Sequence, residues 1–437
     1  MLGIVLVLSL GQQYCLSPTG DCDVFAPWRG PRQSRFGWRS PPSGAFFELA
    51  PLSGAGMTAA CACAAVTGAK GEAVSWTRGS SAYCTRGAVG RSGLATVGIP
   101  AGDMTLCSSN LPRVENDGAV LGLLVEDALS GQNIAIQAED FSNIAWTSTA
   151  TVTANTTAPP STNPTSNADT LSDVSGAAIQ SSCQTISTTS ATQFTASVYV
   201  TAGTLAKGSI RLTGTGSSTG DCVFSSTAIS GGGAFDRLNC TSPAAYAGTL
   251  TAVTVCVEVG TVVGDTGTII AWGADVKPSS LYLTSYVPTT TVAVTRSADV
   301  PTVTLYSALP TTDGSAAASF TPEWSTSVGA PLFYLMSYSG SAEMLYGQGA
   351  VGDIRTYDST TQVIQTTTYT ANVTKRLWSS YTGSAMQVSD TTATASGAFD
   401  GSMLTATSLQ LGQQGGSFQN NAILSRVCLD PSPTRCR

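Results

Sequence analysis

The sequence contains no histidine among its 437 residues. This absence excludes Ser-His-Asp and Cys-His catalytic arrangements and every metal site that depends on an imidazole ligand. Charged residues are also scarce, at 11% of the chain, against roughly a quarter in an average globular protein. The surface is therefore expected to be polar but weakly ionic, and we expect neither an enzyme nor a bound cofactor.

Basic runs and long apolar runs are missing as well. The 20 lysines and arginines stand against 27 acidic residues, for a net charge of -7, so the chain has no cationic stretch that could bind a nucleic-acid backbone. The apolar segment 2–10 (LGIVLVLSL) is too short to span a bilayer. It can be a cleaved secretion signal or a strand that stays in the fold.

Twelve cysteines are scattered along the chain, and this spacing favours disulfides over paired zinc knuckles. Disulfides indicate an oxidising compartment, although a virion can carry free thiols until it is released. Cys222 and Cys240 bracket a stretch with three consecutive glycines, as two antiparallel strands and their turn would. The predicted pairs are Cys222 with Cys240, Cys428 with Cys436, and Cys183 with Cys256.

The length predicts two or three domains. Residues 1–130 hold six cysteines and clustered arginines, and are predicted to be an irregular N-terminal region. Valines alternate with other residues in 252–259, which is the period of a half-buried strand. Segment 119–129 fits a helix or a strand equally well. We expect an all-β fold with two tandem β-sandwich or jelly-roll domains, at 131–300 and 301–437.

Four segments follow one another in the first third of the chain: 75–86 (SWTRGSSAYCTR), 110–113 (NLPR), 121–126 (LGLLVE) and 139–147 (EDFSNIAWT). In this order they resemble a module of phage fibre proteins, which carries an aromatic-x-Arg start, an Asn-x-Pro-Arg, a Gly-Leu-Leu-Ile-Glu and a Glu-Asp-Phe-Ser-Asn-x-x-Trp. The end of the same module resembles 272–274 (WGA), 283–289 (LTSYVPT) and 294–299 (VTRSAD). Departures are 129–133 (LSGQN), where the family has Arg-Thr-Asn, and the richness in cysteine.

This resemblance implies a carbohydrate-binding-like β-sandwich of head-spike and tail-fibre proteins over roughly 75–300. Segment 409–431 (LQLGQQGGSFQNNAILSRVCLDP) is similar, more faintly, to concanavalin-like or laminin-G-like jelly rolls. The implied partners are other virion or self subunits, in a homo-oligomer for which a trimer is favoured, and a cell-surface polysaccharide.

Exposed aromatic side chains are the expected sugar-binding groups, because a pyranose face offers apolar C–H groups to a ring. Each candidate could equally be an ordinary core residue of a sandwich. Asp353 and Asp358 could ligate calcium, although aspartate is also a common turn residue. The aromatic candidates are Trp378, Tyr381, Tyr357 and Tyr338.

Together these patterns predict a phage-type fibre or spike protein at the virion surface, with sandwich domains for attachment to a cell-surface glycan. A secreted bacterial adhesin or lectin built from the same module is the alternative. A depolymerase of capsule or lipopolysaccharide is a third hypothesis, since paired carboxylates need no sequence motif.

Overall fold

The computed structural model describes the chain in separate ranges between residues 47 and 436. All of them lie within Gly44–Arg437, which forms one compact unit. The apolar run 2–10, Cys15 and Cys22 lie outside the described residues. The described ranges are 47–49, 61–63, 74–84, 94–99, 102–116, 121–126, 131–162, 164–189, 192–280, 283–305, 312–322, 324–326, 332–338, 343–401, 403, 408–414, 422–430 and 436.

The regular secondary structure in these ranges consists of β-strands. None of the described segments forms a helix that could cross a membrane. The strands are β1 (Phe47–Leu49), β2 (Cys61–Cys63), β3 (Val74–Thr77), β4 (Ala82–Cys84), β5 (Leu94–Ile99), β6 (Thr105–Cys107), β7 (Arg113–Asn116), β8 (Leu121–Val125), β9 (Gln132–Asn133), β10 (Thr147–Ser148), β11 (Thr151–Thr157), β12 (Ala168–Asp173), β13 (Gln180–Ser187), β14 (Phe194–Ala202), β15 (Gly208–Thr215), β16 (Cys222–Ser226), β17 (Phe235–Thr241), β18 (Ala252–Val259), β19 (Gly267–Pro278), β20 (Val294–Thr295), β21 (Val300–Thr304), β22 (Asp313–Pro322), β23 (Leu332–Tyr338), β24 (Glu343–Gln348), β25 (Asp353–Tyr357), β26 (Gln362–Thr366), β27 (Lys375–Thr382), β28 (Ala385–Ser389), β29 (Thr394–Ala398), β30 (Ser408–Leu411) and β31 (Ala422–Asp430).

The middle of the chain forms a sandwich of two antiparallel sheets, which we call the central sandwich. One sheet has the order β11-β12-β19-β14-β17-β5 and the other the order β10-β13-β18-β15-β16. Alternate apolar side chains from both sheets meet in one core, including Val198 and Val200 of β14 and Ile210 and Leu212 of β15. The predicted strand at 252–259 is confirmed as β18, and its valines are fully buried in that core.

A second sandwich, here called the outer sandwich, contains most of the C-terminal strands. Its nine-stranded sheet has the order β2-β7-β8-β31-β22-β27-β28-β29, with β1 added on β31, and its seven-stranded sheet has the order β26-β25-β24-β23-β30-β21-β3. Apolar side chains such as Phe320, Phe333 and Leu377 fill the space between them. The fold is therefore all-β with two sandwiches in tandem.

Strands that precede residue 126 complete both sandwiches. β5 pairs with β17 at the edge of the central sandwich, whereas β1, β2, β7 and β8 extend the nine-stranded sheet and β3 extends the seven-stranded sheet. Segment 119–129, whose sequence fits a helix and a strand equally well, contains the strand β8. Gly122 suits this strand because a Cβ there would overlap the carbonyl of Leu424 on β31. The division at 130 and 300 stays a prediction.

The three disulfides predicted from the sequence are confirmed. Cys183 and Cys256 lie directly opposite each other on β13 and β18, and Cys428 is joined to Cys436. Cys222 and Cys240 are also joined, with their Cα atoms 5.9 Å apart. They were expected on two paired strands, but β16 and β17 belong to opposite sheets of the central sandwich. This disulfide therefore fastens the two sheets to each other.

A fourth disulfide joins Cys63 of β2 to Cys107 of β6, with Cα atoms 5.3 Å apart. This pair is not predicted from the sequence, because the two cysteines are 44 positions apart and no hairpin pattern connects them. Only the pairing of β2 with β7, which is remote in sequence, brings Cys63 to this place.

A bulge at one glycine shifts, by one residue, which side chains of β19 face the core. Ile269 and Ala271 point into the core of the central sandwich, but so do Ala274 and Val276. A bulge opposite β14 provides the extra residue, and Gly273 occupies it with φ +66°. Trp272 lies with Ile270 on the opposite face, in a separate aromatic cluster, and the bulge after it returns Ala274 and Val276 to the core.

We predict that Gly273→Ala lowers the free energy of unfolding by about 1–3 kcal/mol, since φ is positive there and the new Cβ lies 3.1 Å from the Tyr199 ring. Urea unfolding under non-reducing conditions measures this loss. Gly248→Ala is the matched control, because its Cβ meets no atom within 4 Å. Equal midpoints for the two variants would contradict the role given to the bulge.

Candidate functional site

Five charged side chains form a buried cluster where the two sandwiches meet, and we call it the junction network. Arg113 lies at its centre, with Nη1 2.6 Å from Glu126 Oε2 and Nη2 bonded to Asp299 Oδ2. Arg78 Nη1 is 3.0 Å from Asp299 Oδ1. All five side chains are 0% exposed. The network consists of Arg78, Arg113, Glu126, Arg296 and Asp299.

The strand ends of the outer sandwich position these groups. Arg78 follows β3, Arg113 begins β7, Glu126 follows β8 and Asp299 precedes β21. Backbone bonds lock the two acids together, since the amide of Asp299 donates to the carbonyl of Glu126 at 3.0 Å, and the amide of Glu126 donates to Asp299 Oδ2 at 3.0 Å. Segments that are far apart in the sequence are therefore held at one point.

The central sandwich joins the network through the segment before β20. The Ser285 amide donates to Glu126 Oε1 at 2.8 Å, and Arg113 Nη1 donates to Ser285 Oγ at 2.5 Å. Arg296, which follows β20, lies 3.4 Å from Glu126 and 3.5 Å from Asp299. Both acids are thus shared between chain segments of the two sandwiches.

Arg113 and Glu126, at the centre of the network, are charged near neutral pH. Burial by itself raises the pKa of Glu126, but Arg113 and Arg296 outweigh it and hold this pKa well below its usual range. Burial also opposes the positive charge of Arg113, yet Asp299 and Glu126 raise its pKa further. Neither group exchanges protons near neutral pH or reaches solvent, so this pair contributes to holding the fold together.

A layer of aromatic rings lies beside the network, between the central sandwich and the two-stranded sheet that β4 forms with β6. The rings of Trp272 and Tyr286 are 5.0 Å apart between centroids, and those of Tyr83 and Tyr286 are 5.5 Å apart. Tyr286 donates to Glu139 Oε1 at 3.2 Å. Burial raises the pKa of Glu139, against the hydrogen bonds from Thr165 that lower it. Glu139 thus connects the aromatic layer, through Tyr286, to the loop that contains Thr165.

The motifs of the fibre-module resemblance meet in these two clusters. Arg78 and Tyr83 come from 75–86, Arg113 from 110–113, and Glu126 from 121–126. The later segments supply Trp272, Tyr286, Arg296 and Asp299. Sequence reasoning missed their structural role. The available signal was the position of Glu126 directly after an apolar run, because charge at the end of a buried strand requires a buried partner.

A second buried ion group lies on the face of β14, β17 and β19 next to the aromatic layer. Asp275 Oδ2 is 3.0 Å from Lys277 Nζ and 3.3 Å from Arg237 Nη2, all with 0% side-chain exposure. Burial raises the pKa of Asp275 and lowers that of Lys277. Arg237 also lies over the Tyr199 ring at 5.1 Å. This group supports the junction and is closed to solvent.

One open groove of about 370 Å³ lies at an end of the central sandwich. It carries no charge and combines hydroxyl and amide groups with aliphatic side chains. Such a lining suits a neutral polyol, which needs hydrogen bonds at its hydroxyls and apolar contact at its C–H groups. The lining residues are Gln132, Ile134, Ile186, Ser187, Thr188, Pro278, Ser279 and Ala293.

The aromatic candidates do not form one site. Tyr381 is 2% exposed and packs on Phe399 at 5.3 Å, so it is a core residue and offers no ring face to a sugar. Trp378 and Tyr357 are both half-buried, on strands of opposite sheets of the outer sandwich. The Tyr357 hydroxyl donates to the Ser359 carbonyl at 2.6 Å. For Tyr338 the structure describes only the backbone, in β23.

The two calcium candidates have local hydrogen-bond partners. Asp353 is paired with Arg355, and its Oδ1 accepts from the Gln348 amide at 2.9 Å. Asp358 closes a turn by accepting from the backbone and hydroxyl of Thr360 and Thr361. Within the described residues, no three acidic or cysteine side chains gather as metal ligands.

Comparisons with known proteins give little family evidence. No protein-family model matches the chain, and no curated protein matches it. Among solved structures, the chain is similar to domains LG4-5 of the mouse laminin alpha1 chain, with 11% identity and a TM-score of 0.20. That match covers 56% of this chain and 85% of the laminin chain. A TM-score this low supports no inference about function.

We predict that Arg113→Met lowers the free energy of unfolding by about 3–5 kcal/mol, because it leaves Glu126 and Asp299 buried with too little positive charge. The loss is measured by unfolding in urea, because an ionic denaturant would screen the charges. Lys207→Met is the control. The Lys207 side chain is 38% exposed in its bridge to Asp265, so this substitution should change the free energy of unfolding much less. A loss below 1 kcal/mol in the Arg113 variant would contradict the role of the network.

A second prediction concerns acid stability. Burial alone would raise the pKa of Asp358, but hydrogen bonds from Thr361 and Thr360 lower it to about 2, against about 3.9 in an unfolded chain. The carboxylate therefore stabilises the fold above pH 4, and this contribution is lost as the pH falls toward 2. Asp358→Asn should flatten the dependence of the unfolding temperature on pH between 4 and 2.

Thr361→Val, which removes one donor to Asp358, should give an intermediate slope. Calorimetric scans at several pH values measure these profiles. If the Asp358→Asn profile has the same shape as that of the unaltered protein, the carboxylate does not contribute in this way.

Proposed function

We propose that this chain is an attachment protein, in which two β-sandwiches joined at a buried junction present a glycan-binding surface, as part of a phage-type fibre or spike. The observation that carries the proposal is the convergence of the fibre-module motifs. Residues from segments as far apart as 75–86 and 294–299 meet in the junction network. The segments that resemble the fibre module in sequence therefore also contact one another in the fold.

Binding fits the chemistry of the chain better than catalysis does. The carboxylates of the two buried ion groups, Glu126, Asp275 and Asp299, are fully enclosed, whereas a catalytic carboxylate must reach its substrate. The groove of the central sandwich is neutral and offers hydroxyl, amide and aliphatic groups. These groups match the alternating hydroxyls and C–H faces of a sugar.

The second candidate is a secreted bacterial adhesin or lectin with the same architecture. The disulfides favour it, because four pairs in the described residues require an oxidising environment to form. Both candidates bind a cell-surface glycan, and they differ in where the chain is found. Gold-labelled antibody on intact particles separates them, since a fibre protein is labelled on the virion and an adhesin on the bacterial surface.

We predict that the protein binds neutral host polysaccharide and that Ser187→Tyr weakens this binding about tenfold or more, because the new ring fills the groove. Ser187 is exposed at the end of β13, so the change leaves the core intact. Ser396→Tyr is the control, on the exposed edge strand β29 of the outer sandwich. Biolayer interferometry against an immobilised neutral polysaccharide of the host measures both.

Absence of binding to any host polysaccharide would overturn the proposed function. Equal loss in the two tyrosine variants would overturn the assignment of the groove. Release of reducing ends from the polysaccharide during the measurement would favour a depolymerase.

A further inference from the structure

Two open strand edges lie side by side at one end of the outer sandwich. β26 is the last strand of the seven-stranded sheet, and β29 is the last strand of the nine-stranded sheet. The two strands contact each other across the core, where a Cβ added at Gly397 of β29 would lie 2.7 Å from Val363 Cγ2 of β26. The strands next to the junction network, β3, β7 and β8, lie toward the opposite end of these sheets.

The hydrogen-bond register shows which backbone groups of β26 point away from its sheet. The Asp358 amide donates to the Thr361 carbonyl at 3.2 Å, and the Thr367 amide donates to the Gly352 carbonyl at 2.9 Å. Bonded residues alternate along an antiparallel strand, so the odd-numbered residues of β26 bond to β25 and the even-numbered ones point outward. The outward amides and carbonyls belong to Gln362, Ile364 and Thr366.

The same alternation holds for β29. The Phe399 amide donates to the Ser384 carbonyl at 2.9 Å, and the Asp390 amide donates to the Ala393 carbonyl at 3.4 Å. The odd-numbered residues of β29 therefore bond to β28, and the backbone groups of the even-numbered ones point outward. The outward residues are Thr394, Ser396 and Ala398.

A side chain caps one outward carbonyl on each edge. Gln365 Nε2 donates to the Thr366 carbonyl at 2.7 Å, and Thr361 Oγ1 donates to the Ala398 carbonyl at 3.3 Å. The centre of each edge has no neighbouring strand on its outer side among the described residues. The central residues are Ile364 and Ser396, and both are exposed.

Neither edge has the features that usually prevent strand association. Exposed edges in soluble proteins are commonly blunted by charge, proline or a bulge. β26 (QVIQT) and β29 (TASGA) contain no charged residue and no proline, and both pair with their neighbour without a register shift. In the central sandwich, by contrast, the edge strands β11 and β5 have register shifts, and a disulfide ties β16 to the other sheet.

One two-fold axis can pair both edges with those of a second copy. Antiparallel pairing about an axis at Ile364 places this residue opposite its own counterpart, and Ser396 is the corresponding centre on β29. Val363 packs against Gly397, so the next residues, Ile364 and Ser396, lie at about the same level of the sandwich. A single axis perpendicular to the sheets therefore passes near both centres. Since the edges are neutral, no like charges oppose this pairing.

We propose that the outer sandwich binds a second copy of this chain through these two edges, in a two-fold dimer whose sheets continue from one copy into the other. Backbone hydrogen bonds supply the pairing. Val363 faces the core, so Ile364, 47% exposed, lies on the outer face and packs against its counterpart. The contact is small, so the dimer should be weak and depend on concentration.

Sedimentation velocity of the full-length, oxidised protein between about 1 and 300 μM tests this proposal. We expect the mass to rise with concentration from 44.5 kDa toward twice that value. The resemblance to fibre proteins favours a trimer, which a two-fold contact does not produce. A chain that stays monomeric, or that sediments as a trimer, would overturn the inference. No glycan is present, so this result is independent of the attachment function.

Charge at the centre of β29 gives a sharper test. Ser396→Lys and Ser396→Glu each place like charges opposite each other across the axis, and each should weaken dimerisation about threefold or more. An equimolar mixture of the two variants should restore it, because opposite charges then face each other. A damaged fold would not be rescued by mixing. Thr153→Lys, on the exposed and bulged edge strand β11, is the control and should leave dimerisation unchanged.

Ile364→Thr tests the edge of β26. It keeps a β-branched side chain but removes the apolar contact, so dimerisation should weaken. Val223→Thr, at an exposed valine of the edge strand β16, is the matched control. Ser396→Tyr should keep the dimer, because two rings can pack across the axis. A dimer that is equally stable in the Ser396→Lys, Ser396→Glu and Ile364→Thr variants would overturn the assignment to these edges.

Discussion

The placement of Arg113 between Glu126 and Asp299 is the contact on which the rest of the structure depends. Its three ionic groups have no exposure to solvent, so each had to lose its hydration when the chain folded. The attraction inside the protein offsets that cost only if all the partners are in place. A buried ion group of this kind adds little net stability, but it strongly disfavours any arrangement in which one partner is absent. It therefore selects one way of joining the two sandwiches.

A contact that favours one arrangement of the two sandwiches is important here, because strands from the start and the end of the chain share the same sheets. β3, β7 and β8 come early in the sequence but lie in sheets that are completed only by β21 to β31. Contacts between such distant segments form slowly, since a long loop must close before any of them is made. The junction network contains groups from both ends of this path. The aromatic layer adds apolar area at the same place, and Trp272 of β19 belongs to it.

The sequence predicts the local features of this fold well. Valine alternation identifies β18, and the cysteine positions predict three of the four disulfides in which both cysteines are described. Long-range pairing could not be predicted, because strands such as β2 and β5 are short and acquire their partners only in the folded chain. For the same reason the disulfide between Cys222 and Cys240 was predicted correctly as a pair but placed on the wrong strand arrangement.

The candidate site shows the same division between local and long-range information. Aromatic residues at 378 and 381 differ by three positions, so alternation places them on opposite faces of β27, but it does not say which face is the core. The contacts of Leu377 and Tyr381 settle this, and they leave Trp378 on the outer face beside Arg376. Arg426 joins them only through the register of β31 against β22. Most ion pairs of the described residues lie inside the fold, where losing any one partner would leave a buried charge unpaired, so they favour a single arrangement of the strands.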